Sequence, residues 1–255
     1  MTDYLISNLK QEIQVVLDRN RNSSSLIEDS DIDTLMQDDV IGATIVRAAQ
    51  IIEQDAPGYM IDADGSLSSY LSASSPTAAV SRTPSSAPAQ PLPRISWEER
   101  SAGSYIGRLV LPKKLMRLMT VKMSDWTRPG KIITEDDAEY LWQSSDFAGV
   151  RGNPHRPIAA VVATDQGLTL ELYSCSSEAA KIERGTYICY PEVSANDTIK
   201  LAEKLKQAIV YEAAYLVCMT MGDVQTAAGL QQTAMRLAGM KEPQAATQPQ
   251  QQEGE

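Results

Sequence analysis

At 255 residues, with 43% hydrophobic and 22% charged side chains, the chain is long enough for one large domain or two small ones with a substantial core. The formal net charge of −10 is unevenly placed, since residues 1–66 carry four basic against thirteen acidic side chains, and no basic block occurs anywhere. This balance excludes a surface that grips a phosphate backbone, though it suits a low-friction wall around DNA.

Three cysteines without CxxC spacing argue against a disulfide framework or a zinc knuckle and point to a reducing compartment. No apolar run approaches the roughly 18 residues of a spanning helix, so no membrane partner is expected. The opening Met1-Thr2-Asp3-Tyr4 does not read as a signal peptide. The expectation is a soluble protein made in the cytoplasm.

Residues 3–20 place Leu5, Leu9, Ile13, Val16 and Leu17 on one helical face, and a polar, Ser-rich turn over 20–25 ends that helix. A second helix is expected from Asp31 or Thr34 to Asp55, with Leu35, Met36, Val40, Ile45, Ile51 and Ile52 inward. Asp31, Asp33, Asp38 and Asp39 crowd its first turns, where the helix dipole favours negative charge. Together, residues 1–65 form an N-terminal helical pair.

Residues 66–94 differ in kind, being rich in Ser, Ala, Pro and Thr. They hold too few large apolar groups to offset the entropy of ordering and read as a flexible linker, or as an arm laid along a neighbour.

From Gly107 the pattern turns to short strands. GRLVLP and LMRLMTVKM form two, PIAAVVAT and LTLELY form a hairpin across Asp165-Gln166-Gly167, and GTYICY forms a fifth that Pro191 stops. A helical turn, ITEDDAEYLWQSS, and a Gly/Pro/Arg loop lie between them. Residues 95–195 are thus a small antiparallel β-insertion.

From Asn196 a helix is expected to run to Met221, with Asn196 and Asp197 as N-cap candidates and Leu201, Leu205, Ile209, Ala213, Leu216 and Val217 on its apolar face. Gly222-Asp223 breaks it, and an Ala-rich helix follows over 224–237. Residues 196–240 therefore form a helical hairpin. Its small residues Ala213, Ala214, Ala227, Ala228 and Ala234 mark where a neighbouring subunit is expected to approach closely. Residues 241–255 are a Gln/Pro-rich tail. The fold class that results is α+β: a helical bundle built from both terminal pairs, with the small sheet inserted and a Ser/Pro/Ala-rich extended segment.

Chemistry is hard to find in this chain. His155 is its single histidine and sits in the rigid turn Asn-Pro-His-Arg-Pro, with no nucleophile or carboxylate beside it in sequence. Glu135, Asp136, Asp137 and Glu139 read either as capping of the helix after Thr134 or as a magnesium cluster. GxSxG, P-loop, GxGxxG and HExxH signatures are all missing. A non-enzyme without cofactor or metal is expected. Trp126 and Arg128 in WTRPG read as interface anchors or as a Trp closing the sheet end with Arg128 stacked on it, and Trp97 and Trp142 as core. One Phe in the whole chain leaves no aromatic platform for single-stranded nucleic acid.

Taken in order, GRLVLPKKLMRLMTVKMSDWTRP, PHRPIAAVV, LTLELYS, TYICYP and the closing AIVYEAAYLVCMTMGDVQTAAGLQQTAMRL resemble the head–tail adaptor (connector) proteins of tailed bacteriophages. The likeness is to the ring proteins of short-tailed and crAss-like phages infecting Bacteroidales. It rests on Leu109–Leu118 and Ala208–Leu237 and covers about residues 95–240. The resemblance implies a homo-oligomeric ring, commonly of twelve copies, beneath the portal protein at the head–tail junction of the virion. Such a ring extends the channel for double-stranded DNA without specific binding and docks tail or other neck-ring proteins. It also implies that the tail, beginning at Lys241, Glu242 and Pro243, contacts the portal. Read without the resemblance, the chain also fits a non-catalytic accessory binding module of a virus or mobile element, with a disordered linker.

Overall fold

A computed structural model of the chain describes residues 1–20, 34–73, 93–101, 103–145, 147 and 149–240. The chain divides into two units, Met1–Asp62 with Pro191–Glu255, and Ala63–Tyr190.

The first unit is built on helices. After a strand β1 (Thr2–Leu5), helix α1 (Ile6–Asn20) buries Ile6, Leu9, Ile13, Val16 and Leu17, the three-to-four spacing of one apolar stripe. Leu5, expected on that stripe, belongs to the strand instead and is exposed. Helix α2 (Asp38–Asp55) buries Ile41, Ile45, Ala48, Ala49 and Ile52. Val40, expected inward, stays exposed.

The segment after Asn196 departs from expectation. Asp197 is no helix cap. It has a φ of 56°, the left-handed region, and its carbonyl accepts the Ile6 N–H. The chain then forms strand β10 (Thr198–Leu201), which pairs antiparallel with β1 from Thr2↔Leu201 to Leu5↔Thr198. Ile199 and Leu201 are both fully buried, an alternation of period two that wins over the helical reading because β1 offers a ladder. Buried Glu53 of α2 then accepts the Ala202 N–H at 3.1 Å.

Helix α5 (Lys206–Thr220) begins only after this turn and buries eight residues around nearly its whole circumference. An all-round apolar helix is a central one, and α5 packs against α1, α2 and α6. Gly222, at φ 80°, reverses the chain, and Asp223 Oδ1 accepts the Thr226 N–H to open α6 (Val224–Leu237).

The second unit holds the remaining strands. Five of them form one sheet in the order β3 (Ser96–Ser101), β4 (Ser104–Val110), β8 (Gly167–Cys175), β7 (Ile158–Thr164), β6 (Lys131–Thr134). The β6–β7 pair is parallel and the others antiparallel. The second sheet orders β2 (Gly65–Ser66), β9 (Ile182–Cys189) and β5 (Leu115–Met123). One buried cluster draws Leu109, Leu170 and Leu172 from the first sheet and Leu118, Val121 and Met123 from the second.

The Ser/Pro/Ala-rich stretch opens on structure. Helix α3 (Leu67–Ala73) drives Leu67 into this core against Gly185, where an added Cβ would meet Leu67 at 2.8 Å. Residues 74–92 lie outside the described residues, as do Asp31, Asp33 and the Ser-rich turn.

The expected bundle with a small antiparallel insertion is therefore corrected. The described residues form six α-helices, with α4 at Ala138–Trp142, and ten strands in three sheets, one of them five-stranded and mixed. The missed strands are short or polar: Ser96–Ser101 reads SWEERS and Lys131–Thr134 reads KIIT, too brief for alternation to show.

Candidate functional site

Trp126 follows β5 in a tight turn, its N–H donating to the Met123 carbonyl. The indole is 3% exposed, joins the core of the second unit and donates from Nε1 to the Ser174 carbonyl at 3.1 Å. Gly130 lies against its ring, where an added Cβ would fall 2.6 Å from Cζ3. Arg128, two residues on, is exposed. Of this pair only the arginine is available to a partner.

Ala213, Ala214, Ala227 and Ala234 are fully buried within the first unit, so their small size serves the close packing of its own helices. Ala228 alone of that set faces outward. Lys241, Glu242 and Pro243 lie outside the described residues.

Of the candidate acids, Asp137 and Glu139 have structural partners, while Glu135 and Asp136 are exposed. Asp137 Oδ2 accepts from Thr134 N at 2.7 Å and from Thr134 Oγ1 at 3.1 Å, and the backbone bond chiefly holds its carboxyl below the usual carboxylate range. Glu139 pairs with Lys131 at 2.6 Å. His155 is exposed in an Asx-type turn in which Asn153 Oδ1 accepts the N–H groups of His155 and Arg156. Among the described residues no group of three His, Cys, Asp or Glu side chains is arranged to hold a metal ion.

Two surfaces escaped the sequence reading. The first is an open groove of about 770 Å³ on the helical unit, between Asp39, Val40, Ala43, Thr44 and Arg47 of α2 and Leu216, Met219 and Thr220 of α5. The second lies at α4 and the loop after it. Leu141 is 73% exposed, Trp142 53% and Phe147 77%. Trp142, expected in the core, is thus at the surface.

Just after α4, Gln143 is buried. Its Oε1 accepts the Gly152 N–H at 2.9 Å, its Nε2 donates to the Glu139 carbonyl, and its own carbonyl accepts from Arg100. A buried amide satisfied at both ends ties the end of α4 to Gly152.

A polar ladder crosses one face of the five-stranded sheet. Arg108 bridges Glu98 and Glu171, at 2.5 Å and 2.9 Å, and Glu171 also accepts from Tyr140 and Tyr173. Burial, then the contact with Glu171, pushes the Tyr173 phenol up. Every member is partnered, so the ladder fastens strands rather than offering an open site.

No protein-family model matches the chain, and no curated protein matches it either.

Proposed function

We propose that this chain is a non-catalytic structural subunit of a bacteriophage head–tail connector ring. It sits below the portal in the virion, extends the DNA channel and docks tail or other neck-ring proteins. The class comes from the resemblance carried by Leu109–Leu118 and Ala208–Leu237.

The observation that carries the assembly reading is uncovered apolar surface. Leu141 and Trp142 on α4 are 73% and 53% exposed, and Phe147 just after the helix is 77% exposed. Exposed apolar side chains grouped in one short stretch, unlike single scattered ones, support contact with another macromolecule. The acidic balance suits passage of DNA without adhesion.

The deciding experiment mixes the purified chain with portal protein, images the product by electron microscopy, and analyses purified particles by mass spectrometry. A ring seated on the portal, with the chain present in particles, is the expected result. Absence from particles together with failure to join the portal overturns the connector reading and favours the accessory module.

A further inference from the structure

We propose that the groove between α2 and α5 receives the outward face of α6 from a second copy of the same chain, in an antiparallel helix contact. This inference deepens the ring reading by naming the surfaces that join one copy to the next.

The groove is amphipathic along its length. Its floor is apolar, with Val40 41% and Met219 43% exposed. Asp39 stands near the N-terminal end of α2 and Arg47 two turns further on. Neither side chain has a hydrogen-bond or ion-pair partner among the described residues. An apolar trough flanked by one unspent acid and one unspent base asks for a partner with the opposite order of charge.

Helix α6 supplies that order. Its inner face is spent on Ala227, Leu230 and Ala234. Its outer face shows Val224, Ala228, Gly229 and Arg236, with Gln225 and Gln232 between them. Gly229 has open space where a Cβ would stand, so a second helix backbone can come near there. Asp223 begins the helix, its Oδ1 taken by the Thr226 N–H and its second oxygen left for a partner, and Arg236, whose side chain lacks a partner among the described residues, lies in the last turn.

Both helices therefore run from acid to base. Laid antiparallel, they bring Arg236 to Asp39 and Asp223 to Arg47, and they oppose the helix dipoles. The charge spacings are about 12 Å on α2 and about 20 Å on α6 at 1.5 Å per residue, a mismatch that two long arginine side chains span. Because donor face and groove are different surfaces, the contact is head to tail and propagates from copy to copy, as ring closure requires.

The test is a charge swap in the full chain, followed by sedimentation velocity over a concentration series, with circular dichroism confirming that each variant stays folded. Asp39→Arg and Arg236→Glu each weaken self-association, by roughly tenfold or more in the dissociation constant. The double variant carrying both changes recovers most of the loss.

A wild-type chain that stays monomeric throughout overturns the contact. So do single variants that associate like wild type, or a double variant no tighter than the singles. The two readings fail separately. A chain present in particles whose association ignores these charges keeps the connector role and loses this contact. A chain absent from particles that still shows the charge-swap recovery does the reverse.

Discussion

Glu212 sits on α5 with only 2% of its surface exposed and, among the described residues, with no hydrogen-bond partner. Loss of water alone raises its carboxyl from 4.5 to about 7. The folded state thus holds this proton more tightly than the unfolded chain does. Its stability contribution is fully present below 4.5 and is lost as pH rises toward about 7. Glu212→Gln keeps the shape and removes the ionisation. It should melt like wild type at pH 4 and be more stable at pH 8, by about 3 kcal/mol at most. Thermal melts at the two pH values check this, and an equal gap at both would show that the carboxyl is solvated in the folded protein. Trp126 makes the complementary point. A Trp beside an Arg in a turn looks like an interface anchor, yet this one donates to Ser174 and fills a core. Its neighbour Gly130 was the available signal, since a residue without a Cβ is what lets the chain fold back over an indole ring.

Among the elements, those that were legible carry a long periodic signal of their own. Helix α1 follows from the spacing of Leu9, Ile13, Val16 and Leu17, and the β7–β8 hairpin follows from two apolar runs around Asp165-Gln166-Gly167, with Gly167 at φ 112°. What stayed hidden depends on partners distant in sequence. β10 is four residues long, and only pairing with β1, almost 200 residues away, decides it against a helix. The parallel β6–β7 ladder likewise needs Lys131 beside Ile158, which no local pattern announces. The groove was invisible for the same reason, because Val40 and Leu216 are neighbours only once α2 and α5 pack. The junction between β10 and α5 yields a test. Glu53→Ala leaves the buried Ala202 N–H without its acceptor, at a cost of about 1–3 kcal/mol, whereas Glu53→Gln retains a side-chain carbonyl and loses less. Urea denaturation midpoints should rank wild type, Gln, then Ala. A Gln variant as weak as the Ala variant would show that the charge, not the acceptor, holds this turn.

At the scale of the whole molecule, the two units carry different spectroscopic signatures because the sequence distributes its residues so unevenly. Trp97, Trp126 and Trp142 all fall within Ala63–Tyr190. The four longest helices, α1, α2, α5 and α6, all belong to the other unit. Tryptophan fluorescence therefore follows the sheets, and circular dichroism at 222 nm follows the helical unit. Each unit buries its own apolar cluster, Leu109, Leu170 and Leu172 in one and Ile13, Ile45 and Ile209 in the other. Separate cores of this size give separate cooperative transitions when neither depends on the other for burial. The expected result is non-coincident unfolding curves by the two probes in one urea titration. A fragment spanning residues 63–190 should reproduce the fluorescence transition with its midpoint unchanged. Superimposable curves in the full chain, or a fragment whose Trp126 emission is already that of an exposed indole in buffer, would show that the sheet unit cannot hold its core alone. The shifted pKa of Glu212 belongs only to the helical unit, so its pH dependence should move the dichroism transition and leave the fluorescence one in place.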